Sequence, residues 1–130
     1  MLLWIVLVLG LYLAQLFIPS LFRVIQPDIG VRRYVGSRDE LPQLTSVGGR
    51  SERAVRNFGE SLPFFLTVAI LTIVLDREAT ISLVGAQIFF WARLAYLGLY
   101  LTAVPWLRSI TWTVAFAGIV MMAWPFLGPA

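Results

Sequence analysis

The first charged side chain in this sequence is Arg23. Ahead of it, Leu2 to Phe22 forms an uninterrupted charge-free run of about 21 residues. As a helix, such a run covers roughly 30 Å, enough to cross the hydrocarbon core of a bilayer. A cleaved signal peptide would carry a basic stretch before the apolar one and a small-residue cleavage site after it, and neither is present. The segment is expected to be a spanning helix, with Pro19 near its end.

The remainder cannot cover a soluble domain. Only 13 % of the 130 residues are charged and 59 % are hydrophobic, whereas soluble domains carry about 25 % charge. All ten basic residues are arginine, and Lys, Cys and His are absent. That excludes a disulfide framework, a protein thiolate, an imidazole base, a Schiff-base lysine, and thiolate or imidazole metal ligation. Chemistry must come from Arg, Tyr, Ser, Thr, Asp and Glu, or arrive with a bound cofactor. No metal site is expected. A net charge of +3 suits an anionic ligand or lipid head groups. Nucleic acid is not expected as a partner, because the charge is dispersed among apolar segments.

Three more spans follow. A second helix, with Ser51 as its N-cap, is expected to cross from about Arg53 to Leu75. A third runs from about Ala79 to Val104 and ends at Pro105, and a fourth from Ser109 to Leu127. Residues 23–50 read as a long loop, punctuated by Pro27, Gly30, Gly36, Pro42, Gly48 and Gly49. The expectation is one membrane domain over residues 1–130, an all-α integral membrane bundle of four transmembrane helices. Counting basic loop residues places Arg23, Arg32, Arg33, Arg38, Arg50 and Arg108 on one side, against Arg77 on the other. By the positive-inside rule the Arg-rich side is cytoplasmic, with both termini opposite.

Ionisable residues within spans mark functional sites by default. Arg53, Asn57 and Glu60 fall at i, i+4 and i+7 on one helical face. Arg56 lies to one side of that face and can pair with Glu60. Pro63 removes the donor for the carbonyl of Gly59, so a kink is expected. On the third span, Arg93, Tyr96 and Tyr100 share a face, and the expected partner of Arg93 is Glu60. The plainer reading of the same residues is structural, an Arg–Glu pair fixing bundle register and tyrosines anchoring at the interface.

Residues 52–64 read Glu-Arg-Ala-x-Arg-Asn-x-x-Glu-x-x-Pro-Phe. This pattern closely resembles the signature of the MAPEG family, the membrane-associated proteins in eicosanoid and glutathione metabolism. The resemblance continues through Ala92 to Tyr100 and through Pro105 to Ser109. It implies a homotrimer of four-helix subunits holding glutathione at subunit interfaces near the cytoplasmic side. It also implies roles for single residues: Arg53, Asn57 and Glu60 match glutathione-binding positions, Tyr96 and Tyr100 match ligand-binding positions, and Arg108 matches the arginine that activates the thiol. For the family's arginine near the end of the first helix, Arg23, Arg32 and Arg33 compete.

Residue chemistry is compatible with that implication. Glutathione has two carboxylates and an ammonium; Arg53 or Arg56 can bind a carboxylate bidentately and Glu60 can face the ammonium. A guanidinium beside a thiol favours the thiolate, and the sulfur would come from the cofactor. The expected activity is a glutathione transferase or peroxidase acting on a hydrophobic electrophile or lipid hydroperoxide that enters from the membrane lipids. The alternative is a MAPEG-like protein that binds an anionic small molecule or lipid without turnover. Ser61 and Trp112 motivate it, since each stands where some relatives have tyrosine. A small multidrug exporter is disfavoured, because such exporters carry an essential acid in a first span that here is charge-free.

Overall fold

A computed structural model describes residues 1–26, 45–101 and 105–128. They form α1 (Leu2–Ile25), α2 (Ser46–Val74), α3 (Thr80–Leu101), α4 (Pro105–Ala123) and a closing 3₁₀ turn (Trp124–Phe126). Among the described residues, four helices are long and apolar enough to cross a membrane. Arg32, Arg33 and Arg38, and most of the expected loop, lie outside the described residues.

Helix ends depart from the expectation at three places. The second helix begins at Ser46, where the Thr45 hydroxyl caps it by accepting from the Gly48 amide at 3.2 Å. Ser51, expected as the cap, instead lies in the second turn and donates to the Gly48 carbonyl at 2.6 Å. Gly48 and Gly49 therefore lie inside the helix rather than breaking it, because first-turn amides lack intrahelical acceptors anyway and the Thr45 cap supplies one. The first helix passes through Pro19 to Ile25. Pro105 opens the fourth helix, a position where its missing N–H costs nothing. Likewise, α2 continues as helix through Pro63.

Neighbouring helices run antiparallel, as contacts at their ends show. Arg23 near the end of α1 meets Glu52 near the start of α2 at 2.8 Å. At the opposite end, the Met1 ammonium meets Glu78 at 2.6 Å and Arg77 donates to the Pro125 carbonyl at 3.3 Å. The middle of the bundle is α2 and α3, which contact each other and both outer helices, whereas the backbones of α1 and α4 do not approach one another among the described residues.

The most intimate crossing joins α3 to α4. A Cβ on Gly85 would lie 2.5 Å from the Gly118 carbonyl oxygen, and one on Gly118 would lie 2.6 Å from that of Gly85. The backbones therefore touch directly, a packing that only glycine permits. Across α1, α2 and α3 the core is aromatic. Phe65 stacks on Phe89 at 4.5 Å, Phe89 meets the edge of Phe58, and Phe58 meets Tyr12.

The turn between α2 and α3 closes with paired hydrogen bonds, Asp76 N–H to the Ile73 carbonyl and Arg77 N–H to the Thr72 carbonyl. This is the Schellman arrangement, with Asp76 at φ 51° in the left-handed position that glycine usually fills. Trp106 near the start of α4 and Trp124 directly after its end are exposed. Their spacing of about 27 Å along the helix suits indole anchors at the two membrane interfaces.

Candidate functional site

The charged residues inside the spans gather toward the end of the bundle where α2 and α4 begin. Arg53, Arg56 and Glu60 are exposed on one face of α2, and Asn57 is half-buried beside them. Arg56 and Glu60 form no ion pair: among the described residues the ion pairs are Arg23–Glu52 and Met1–Glu78. Both side chains are exposed. Asn57 and Glu60 open onto a cleft of about 160 Å³ between α2 and α4, walled by Ser61, Phe64, Trp112, Phe116 and Ile119. Trp112 and Phe116 stack nearly parallel, 7° apart, with centroids at 5.8 Å.

Behind the cleft lies Arg93, 2 % exposed in the middle of α3. Its partner is not the expected Glu60. Nη1 donates to Asn57 Oδ1 at 2.8 Å, and Nη2 donates to Ser61 Oγ at 2.6 Å. The reason is angular: Asn57 and Ser61 are one turn apart on the face that α2 turns toward α3, and Glu60 lies about 80° around the helix from their midpoint. Glu60 makes no ion pair with Arg93 among the described residues. Aromatic faces complete the cradle, with the guanidinium carbon 5.3 Å from the Phe58 centroid, 5.4 Å from Phe89 and 5.6 Å from Tyr96. Buried cations are costly without such contacts.

The other expected site residues are placed as follows. Tyr96 is buried with Ala54, under Arg93 rather than at the cleft mouth. Tyr100 is on the last turn of α3, and its side chain lies outside the described residues. Arg108 is half-buried on the first turn of α4, one turn before Trp112 and on the same face. Sequence reasoning missed Phe64, Phe116 and Ile119 as cleft walls. Phe64 follows Glu60, and Phe116 follows Trp112, at the i, i+4 spacing that could have pointed to them.

Four helices long and apolar enough to span a bilayer, with charged residues set inside them, define a polytopic integral membrane protein. The MAPEG family profile matches residues 1–128 of the 130-residue chain, and the protein belongs to that family, named for eicosanoid and glutathione metabolism. No curated protein and no solved structure matches it.

Proposed function

We propose that this protein is a membrane-embedded glutathione-dependent enzyme of the transferase or peroxidase type, acting on hydrophobic electrophiles or lipid hydroperoxides. The observation that carries this reading is the junction of a charged face, Arg53, Arg56, Asn57 and Glu60, with the apolar cleft walls Phe64, Trp112, Phe116 and Ile119. Neither Arg53 nor Arg56 is committed to an ion pair among the described residues, so both are available to carboxylates. Glu60 is available to an ammonium. Tyr96, buried beneath Arg93, backs the site from α3, and Tyr100 is proposed as a further ligand contact on the strength of the family's pattern.

Bound glutathione supplies the thiol that this chain lacks. Arg108 has the role of holding that sulfur as a thiolate, because its guanidinium and the positive end of the α4 dipole act in the same sense. The aromatic walls exclude water and suit a hydrophobic second substrate arriving laterally from lipid.

An exposed row of arginines and a glutamate is not tolerated against hydrocarbon. This supports a homotrimer in which another copy covers the face, with membrane lipids around the outside. The chain is read as one domain over residues 1–130, with its Arg-rich end cytoplasmic and both termini opposite.

Titrating glutathione into detergent-purified protein tests the reading. Saturable binding with a raised thermal midpoint is expected, and absence of binding removes it. Thiolate absorbance then separates turnover from retention. The signal should fall in Arg108→Ala, and an unchanged signal would remove Arg108 from the catalytic role. One observation favours binding without turnover: Ser61 Oγ is already engaged by Arg93 and by the Phe58 carbonyl, so it offers a ligand no free hydroxyl where some relatives have tyrosine.

A further inference from the structure

We infer that Arg93 is a positioning residue that fixes the polarity of the Asn57 amide, so that the cleft presents a hydrogen-bond donor at this position and never an acceptor. The inference rests on the glutathione reading for the identity of the ligand, but its structural half stands on the geometry alone. A guanidinium can only donate. With Arg93 Nη1 2.8 Å from the Asn57 side chain, the oxygen of the amide must face the arginine. The Nδ2 group must then point the other way, and it makes no hydrogen bond with the described residues.

Ser61 is locked by the same cation. Its oxygen accepts from Arg93 Nη2 at 2.6 Å, and its hydroxyl donates to the Phe58 carbonyl at 3.0 Å. Three rings and the two α2 acceptors surround the guanidinium and oppose any turn that would release either group. The consequence is a fixed recognition pattern. Asn57 offers N–H and Glu60 offers an anionic oxygen, less than one helical turn apart and on the same cleft. A ligand must bring a carbonyl or carboxylate to the first and a cation to the second. An α-amino acid head carries both on adjacent atoms. Without Arg93 the amide could flip, and the cleft would lose its discrimination between acceptor and donor.

Asn57 is the sole asparagine in the chain, which gives the idea a direct readout. Asparagine labelled with ¹⁵N in its side chain yields one NH₂ signal, and that signal should shift in Arg93→Met. An unmoved signal would overturn the lock whether or not glutathione binds. The second measurement is a double-mutant cycle on glutathione affinity. Arg93→Met should weaken binding roughly five- to tenfold in the wild-type background, and should cost nothing further in Asn57→Ala. Additive losses would mean that Arg93 acts through general packing, and would overturn the positioning role.

If Arg93→Met does not fold, Asn57→Asp carries both arms. A carboxylate keeps the acceptor toward Arg93 but brings no donor, so the bundle should hold its thermal midpoint while glutathione affinity falls about tenfold. Unchanged affinity, or a lowered midpoint, would overturn the assignment. Failure of the wild type to bind glutathione at all would remove the proposed function. The NH₂ signal in Arg93→Met, or the thermal midpoint of Asn57→Asp, would then decide the lock.

Discussion

The two ends of this bundle are built on opposite principles. At the end that carries the α2–α3 turn, helices are fastened by backbone contact at Gly85 and Gly118, by paired turn hydrogen bonds, and by Arg77 reaching the Pro125 carbonyl. At the other end, Arg53, Arg56 and Glu60 stand exposed, and a cleft separates α2 from α4. Arg93 marks the boundary: it ties α3 to α2, but through neutral acceptors and ring faces. The difference teaches that stability and ligand chemistry are assigned to different ends of the same helices.

Substitutions should separate along that division. Gly118→Leu is expected to have the largest effect, because its side chain meets the α3 backbone head-on. The bundle should lose several kcal/mol and fail to fold, and Gly85→Ala should cost about 1–3 kcal/mol by thermal unfolding in detergent. Next comes Arg93→Met, which leaves the Asn57 and Ser61 oxygens without their donor and should destabilise by about 1–3 kcal/mol. Glu60→Gln should change stability by no more than about 0.5 kcal/mol, while calorimetry shows glutathione affinity reduced about tenfold or more. A Glu60→Gln protein that melts early would break the comparison, since the open end would then carry stability too. The smallest effect belongs to Asp76→Gly, which relieves a left-handed backbone at the fastened end. The thermal midpoint should rise, with a gain of about 1 kcal/mol or less.

The spans were legible because an apolar run announces itself without reference to any partner. The charge-free stretch from Leu2 to Phe22 needs no neighbour to be read as a helix. Facing was less legible. α1 is charge-free from Leu2 to Phe22, so its sequence does not single out Val8 and Pro19 as residues it buries; the amide of Gln15 was the one pointer to that face. Interhelical register was not legible. Arg93 called for a carboxylate by charge alone, and the structure gives it Asn57 and Ser61, because which face α2 turns toward α3 is decided by packing. Gly85 and Gly118 lie on different helices, and no sequence spacing links them. The charged motif of α2 was visible as a unit because its residues share one helix and one face.

The fastening at Gly85 and Gly118 also makes α4 a lever. From Gly118 to Trp106 the helix extends about 18 Å, so a tilt of about 5° at the glycine contact would sweep the far end through roughly 1.6 Å. A movement of that size is negligible at the pivot, where the two backbones stay in touch. At Trp112, about 9 Å from the pivot, the same tilt shifts the cleft wall by roughly 0.8 Å, while Phe116, about 3 Å away, hardly moves. The glycine contact thus sets the axis about which the Trp112 wall of the cleft would swing.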